Sequence, residues 1–396
     1  MTFSDYPERL SGGSENWVVR RAGRRVVSAL FLINGFLIGV WASRIPAITV
    51  QYDLTPGMLG TLLLVLASGA VIAFPISGYF MDRMGSGHIT RVTTLAYIGS
   101  MVLIPLAPSI LTLAIALWLF GAVHGAMDVA MNGWGAKLEK ACERPIMSSF
   151  HALFSVGTGL GAASTFIAAT LGIGLLPHMV VASILSAVVL GWGWRQPEGC
   201  DLTPSSKQKA PLFIFPRGQL LAIALIAACS AIGEGGNADW GGLFLMATTD
   251  VDEAGGALAY TVFSLAMVTA RFAGDRLIAL LGPERIVRYS GLAALLGGLI
   301  TMFAQDVLAK LCGFVFLGAG FALIAPIVYS RAANDKDLPP GAGLASVAIM
   351  GYGGFLVGPV IIGGLASLFG ISSAFGIMIF LGTGVLVFSR ALATRT

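Results

Sequence analysis

The chain runs in long apolar blocks separated by short polar breaks, not in the alternating patterns of a soluble fold. A block of about 20 residues is enough for a helix, rising about 1.5 Å per residue, to cross a hydrocarbon layer roughly 30 Å thick. Twelve blocks fall over 26–49, 57–80, 90–108, 110–136, 146–170, 175–194, 217–246, 256–280, 286–304, 307–331, 341–368 and 371–391. They predict an all-α integral membrane protein with twelve transmembrane helices. The longest polar gap, "RQPEGCDLTPSSKQKAPLFIFPRG" at 195–218, lies between the sixth and seventh blocks and is rich in Pro, Ser and Lys. It predicts an N-terminal tail (1–25), a six-helix bundle (26–194), a linker (195–216) and a second six-helix bundle (217–396).

The two halves echo each other. "GYFMDRMG" (78–85) follows the second span and "ARFAGDRLIALLG" (270–282) follows the eighth, so each half carries an Asp-Arg pair, Asp82-Arg83 and Asp275-Arg276, after a glycine at a span end. Duplicated six-span units, here read as two pseudo-symmetric bundles, are the architecture of many secondary transporters.

Composition agrees with a membrane chain: 56% of residues are hydrophobic and 11% charged, against about 25% charged in soluble domains. The net charge of +4 calls for no nucleic-acid partner, because loop arginines and lysines follow the positive-inside rule. With both termini cytoplasmic, 22 of the 24 Lys and Arg fall on the cytoplasmic side, Arg44 and Lys310 excepted. The expected location is therefore the bacterial cytoplasmic membrane, multi-pass. The opening segment runs polar and then basic into a full-length span, unlike a secretory signal. Cys229 and Cys312 fall in spans and Cys142 and Cys200 in cytoplasmic loops, so no disulfide framework is implied.

"GYFMDRMGSGH" resembles the loop 2–3 signature of the major facilitator superfamily, Gly-x-x-x-Asp-Arg-x-Gly followed by basic residues. Gly78, Asp82, Arg83 and Gly85 match, whereas Ser86 and Gly87 stand where basic residues are expected. "WASRIP" (41–46), "HGAMDVAMNGWG" (124–135), "RPIMSSFHALFSVG" (144–157), "EGGNADW" (234–240) and "GPVIIGGLA" (358–366) are similar to the YbjJ-like, sugar-permease-related branch. The resemblance runs over nearly the whole chain and implies a transporter fold, with transport as the function. It further implies that Asp82 lies against the positive end of a neighbouring helix, span eleven, while Arg83 pairs with acids of its own half, the two forming a gate. The antiporter signature Gly-Pro-x-x-Gly-Gly is absent from span five, which reads "GTGLGAAS"; this counts against a multidrug antiporter.

Ionisable groups within spans are costly and invite functional hypotheses. Span four carries His124, Asp128 and Asn132 at i, i+4 and i+8, one polar stripe on one helix face. Asp128 lies close to mid-depth, where loss of water penalises a charged carboxyl and suits it to carry a proton; a permanent Asp128–His124 hydrogen bond is the structural alternative. Span seven carries Glu234, also near mid-depth, with Asn237, Asp239 and Trp240. Span one carries Asn34, Trp41 and Arg44 along one face. For Arg44 the readings are snorkelling to the interface, an anchor for cargo, or a salt bridge to Asp239 or Glu234. His151 reads as a structural cap or gate contact, Arg271 as reaching the cytoplasmic interface. Tyr329 and Tyr352 offer cavity hydroxyls or belong to an interfacial belt. No third ligand accompanies His124 and Asp128, so no metal is expected. "GTGLGA" lies in an apolar span with no strand before it and is no dinucleotide loop.

These residues lead to a proton-coupled secondary transporter of a small, hydroxylated or sugar-like molecule, not an enzyme. Asp128 and Glu234 are the expected proton carriers. Asn34, Trp41, Arg44, His124, Asn132, Asn237, Trp240, Tyr329 and Tyr352 are the expected cargo contacts. The expected gate comprises Gly78, Asp82, Arg83, Gly85, Asp275 and Arg276. The proton is the coupling ion, with no other cofactor; the bilayer and the cargo are the partners of a monomer. A proton-driven exporter of a drug or amphiphilic metabolite, an uncoupled facilitator and a non-transporting sensor are the alternatives.

Overall fold

The structure is a computed structural model that describes residues 13–54, 56–194, 214–251 and 253–393. The regular structure in those residues is entirely helical. In chain order the helices are α1 (Gly13–Gln51), α2 (Pro56–Met84), α3 (Ser86–Leu103), α4 (Ile110–Cys142), α5 (Met147–Thr170), α6 (Leu175–Trp194) and α7 (Gly218–Thr248). There follow α8 (Glu253–Leu281), α9 (Pro283–Phe303), α10 (Val307–Ala322), α11 (Ile324–Ala333), α12 (Pro340–Phe369), α13 (Ile371–Phe375) and α14 (Ile377–Phe388).

Among the described residues, ten helical units are long and apolar enough to cross a membrane, with α10 and α11 together forming one and α13 and α14 another. The predicted third and eighth spans, α3 and α8, are diluted by polar side chains, Ser, Thr, His and Arg in α3 and four charged residues in α8. With them the count is the twelve expected. Two boundaries differ from the sequence reading. Helix α1 starts at Gly13, so 13–25 continue the first span as helix, beyond the apolar block itself. Span ten breaks at Leu323, because Pro326 has no N–H for the carbonyl of Ala322, four residues earlier. Residues 195–213 of the linker lie outside the described residues.

The same pairing recurs in both halves. Helix α1 packs on α5 and α2 on α4; in the second half α7 packs on α12 and α8 on α10. The α1–α5 seam depends on missing side chains: a Cβ on Gly35 would fall 2.0 Å from the Phe154 carbonyl oxygen, and one on Gly157 would fall 2.3 Å from that of Leu32. Gly39 and Gly161 repeat the arrangement one turn on, so two small-xxx-small faces interlock. That is what "GTGLGA" does here. The halves meet along α2–α12, α5–α8 and α4–α11. Phe74 and Met81 of α2 and Val129 and Ala136 of α4 join the apolar core of the second half.

Candidate functional site

The site lies where α4 and α5 of one half face α7, α8, α11 and α12 of the other. On α4 the three predicted polar residues are all buried. The Asn132 amide donates to the Asp128 main-chain oxygen at 2.9 Å and to its Oδ1 at 3.2 Å. The Tyr352 hydroxyl, from α12, donates to Asp128 Oδ2 at 3.2 Å and stands 3.4 Å from His124 Nε2. The direct Asp128–His124 bond of the structural alternative is thus replaced: Tyr352 reaches across from the opposite half and bridges the two.

Asn132 Oδ1 can only accept, so His151 Nε2, at 3.1 Å, must carry the hydrogen. The His151 ring stacks on Tyr329 of α11 at 6.1 Å between centroids. His151 is therefore part of the central network. Both tyrosines line the centre; neither is in an interfacial belt.

Arg271 is the largest departure from the sequence reading, which placed it at the interface. It is 4% exposed. Nη1 donates to Ser155 Oγ of α5 at 2.5 Å, Nη2 lies 3.5 Å from Glu234 Oε2 of α7, and Nε donates to the Ala322 carbonyl at 3.2 Å. That carbonyl is the one Pro326 leaves without a helical partner, so the guanidinium fills the break in span ten. The Ser155 hydroxyl is oriented in turn by the His151 carbonyl at 3.1 Å. A polar chain consequently runs from Asp128 through Asn132, His151, Ser155 and Arg271 to Glu234, joining the two buried-span acids across both halves. The signal in the sequence was position: Arg271 is about three helical turns from the end of α8 at Leu281, too deep for solvent.

Other expected cargo contacts lie elsewhere. Trp41 is buried against Phe120 in the first core. The Arg44 guanidinium donates to His178 Nδ1 and to the Ile173 carbonyl, each at 3.0 Å, and meets neither Asp239 nor Glu234 nor solvent. The α5–α6 turn frees that carbonyl, and a neutral His178 offers its Nδ1 as acceptor, nearer than any acid of α7. Asn34 is fully buried in the first half, its amide atoms without a partner among the described residues. Asn237 donates back to Gly233 of its own helix at 2.7 Å. Trp240 packs against the second core beside Gly363.

The predicted gate residues sit at the basic end of the molecule, where the loops rich in Arg and Lys gather. The Gly341 N–H, in the first turn of α12, donates to Asp82 Oδ1 at 2.9 Å. This is the span-eleven contact that the resemblance implied. Gly78 allows it: a Cβ there would fall 2.5 Å from the Gly341 carbonyl oxygen. Gly85, at φ +92°, turns the chain into α3. For the acid of the second half, the Ser149 N–H, in the first turn of α5, donates to both Asp275 oxygens at 3.2 Å, and the Ser149 hydroxyl donates as well. Each acid thus closes on a helix N-terminus of the other half, where the backbone carries partial positive charge. Arg83 departs from the expectation: it is exposed and lies over the Tyr79 ring at 4.3 Å. Glu139, the acid near the C-terminal end of α4, is already engaged, accepting from Ile146 and Met147 N–H at 2.8 and 3.0 Å and from the Ser330 hydroxyl of α11. Glu139 is a third cross-half contact that sequence reading missed. Arg276 is exposed.

Comparison with known proteins places this geometry. Residues 26–337 match the model of the Major Facilitator Superfamily. An uncharacterized transporter, y4wD of Sinorhizobium fredii, is 39% identical over 86% of this chain and 90% of its own. Membrane protein MosC of Rhizobium meliloti is 32% identical over 91% of this chain and 87% of its own. Among solved structures, the transporter FucP in its outward conformation superposes with a TM-score of 0.81 at 15% identity, covering 95% of this chain and all of that one. Duplicated bundles, helix N-termini closed by acids at one end and a family match over most of the length agree: the chain is a multi-pass membrane transporter, not an enzyme, and belongs to the Major Facilitator Superfamily.

Proposed function

We propose that the protein is a proton-coupled transporter of a small, hydroxylated, sugar-like molecule, working by alternating access. The observation that carries this reading is the polar chain linking Asp128 to Glu234 across both halves. Each acid, when charged, holds a partner from another helix: Asp128 accepts from Tyr352, and Glu234 pairs with Arg271. A proton on Asp128 turns the charged acceptor of Tyr352 into a weaker neutral one and so weakens the α4–α12 contact. A proton on Glu234 releases one arm of Arg271 and, through it, the support of the break in span ten. Either event lowers the stability of the closed basic end relative to the open one. The basic end is cytoplasmic by the positive-inside rule, so the present arrangement faces outward. The likeness to FucP in its outward conformation supports that assignment.

Cargo sits beside Tyr329, Tyr352, His124 and Asn132, whose mixed donors and acceptors suit hydroxyl groups. Arg271 is committed to Glu234 and Ser155, which favours a neutral cargo over an anion. Solved relatives of the same fold are described as a fucose:proton symporter and a proton:xylose symporter, consistent with the sugar-permease-related resemblance. Each chain carries the whole site, so the monomer is the working unit.

The test is a thermal-shift screen of the purified protein against sugars, sugar acids, amino acids and antibiotics, since a ligand stabilises the state it binds by RT ln(1 + [L]/Kd). The hit is then added to proteoliposomes loaded with a pH-sensitive dye. Cargo-driven proton flux lost in Asp128→Asn or Glu234→Gln supports the reading. Flux that survives both substitutions refutes these carriers, and transport without flux in the wild type identifies an uncoupled facilitator.

A further inference from the structure

At the basic end, away from the central site, a cavity of about 690 Å³ opens between α1, the α4–α5 turn and α6. Arg21, Arg24, Arg25 and Ser28 line it from α1, Arg144 from the turn, and the half-exposed Trp192 from α6; no acid is among its described lining residues. Asp275 lies within electrostatic reach of Arg24 but outside the cavity wall. Four guanidinium groups around one cavity match phosphate chemistry, because each presents a planar fork of N–H donors.

The wall does not end at the arginines. Along α1, Ser28 leads at helical spacing to Leu32 and Phe36; along α6, Trp192 leads back to Val189 and Leu185. Those four aliphatic and aromatic positions line an apolar groove of about 170 Å³ that opens on the outer face of the first half. Within the groove, Ser186 is 2% exposed and its hydroxyl has no partner among the described residues. A basic pocket, an interfacial tryptophan and an apolar groove with one buried unpartnered hydroxyl follow in the order of a lipid's phosphate, glycerol region and acyl chain.

The geometry points to a binding site for an anionic phospholipid, with its phosphate among Arg21, Arg24, Arg25 and Arg144 and an acyl chain in the α1–α6 groove. A free phosphate would use the arginines alone and leave the groove without a role. Because Arg24 also acts on the Asp275 carboxylate, an occupied site sits next to the α5–α8 closure.

The experiment uses the full chain in detergent, with native mass spectrometry and thermal unfolding as readouts. Phosphatidylglycerol, phosphatidylcholine of matched chains and inorganic phosphate are compared. The expected result is retention and stabilisation by phosphatidylglycerol only. Arg25→Gln/Arg144→Gln lowers its affinity about twenty-fivefold, at roughly fivefold per arginine, whereas Lys336→Gln, on the other half, leaves it unchanged. Val189→Trp, which fills the groove and keeps every arginine, also weakens retention. An equal effect of phosphatidylcholine, stabilisation by phosphate alone, or unchanged phosphatidylglycerol binding in both the arginine and Val189→Trp variants overturns the proposal.

Discussion

Asp82→Asn isolates the electrostatic part of the closure at the basic end. The asparagine amide oxygen can still accept from the Gly341 N–H, 2.9 Å away in the wild type, so the hydrogen bond is kept and the negative charge is lost. A charge at a partly buried helix N-terminus contributes about 1–2 kcal/mol, and Asp82 is 5% exposed beneath the start of the 30-residue α12. Lys137 lies within electrostatic reach of the carboxylate and its attraction is removed too. Since about 1.4 kcal/mol is a factor of ten, the ratio of open to closed basic end rises about fivefold to thirtyfold. A starting ratio of about 1 to 99 becomes about 5 to 95 at the lower bound and about 1 to 3 at the upper. Asp82→Ala removes the acceptor as well and moves the ratio further.

The measurement is a distance distribution by pulsed electron resonance between spin labels at Met84 and Lys336. Both are exposed and lie at the basic end on opposite halves. The background has Cys142, Cys200, Cys229 and Cys312 replaced. In lipid, Asp82→Asn gains a longer-distance population and Asp275→Asn does the same across the other seam. An unchanged distribution in both Asp82→Asn and Asp82→Ala would refute the reasoning, because the contact would then carry no conformational energy.

Three further outcomes follow from the central network. Tyr352→Phe removes the donor to Asp128, so cargo-driven proton flux falls in dye-loaded liposomes while thermal stability changes by about 1 kcal/mol or less; wild-type flux would count against the bridge. Arg271→Gln strands Glu234 and the Ala322 carbonyl and lowers stability by about 2 kcal/mol. The double variant with Glu234→Gln recovers part of that loss in thermal unfolding, and strict additivity would mean that the pair is not coupled. Pro326→Ala restores an N–H for the Ala322 carbonyl, so span ten closes its break. Thermal stability rises and turnover slows, and turnover at or above the wild-type rate would exclude a hinge there.

Much of the fold was legible because hydropathy reports crossing segments directly; the boundaries that moved did so for local reasons. Helix α1 outruns its apolar block because a helix continues past the hydrocarbon edge through arginines, which are good helix formers. The break at Leu323 was written in Pro326. The α4 stripe and Glu234 were legible as buried polar groups, and the Asp82 contact followed from the resemblance. The partners were not legible. Helix α1 is packed by α3, α4, α5 and α6, so several of its faces are buried and periodicity cannot separate core from cavity; Trp41 and Arg44 were misplaced for that reason. Arg83 was assigned an acid that Glu139, already bound to the α5 N-terminus, could not supply. Tyr352 lies 224 residues from Asp128, beyond anything spacing can report.

The two halves repeat one closing device but differ four residues before the acid. In the first half that position is Gly78, pressed against Gly341, so the contact four residues before the acid is one of shape. In the second half it is Arg271, tied to Glu234, Ser155 and the free carbonyl of span ten. Backbone against backbone cannot respond to a proton, whereas a guanidinium shared with a carboxylate can. On the proposed mechanism the α5–α8 seam therefore senses protonation and the α2–α12 seam opens with it. The Asp128–Tyr352 bond joins the two, since Tyr352 stands on α12 and Asp128 is linked through Asn132 and His151 to α5. A proton taken at either acid is then felt at both seams, so the halves part as rigid units and neither seam opens alone.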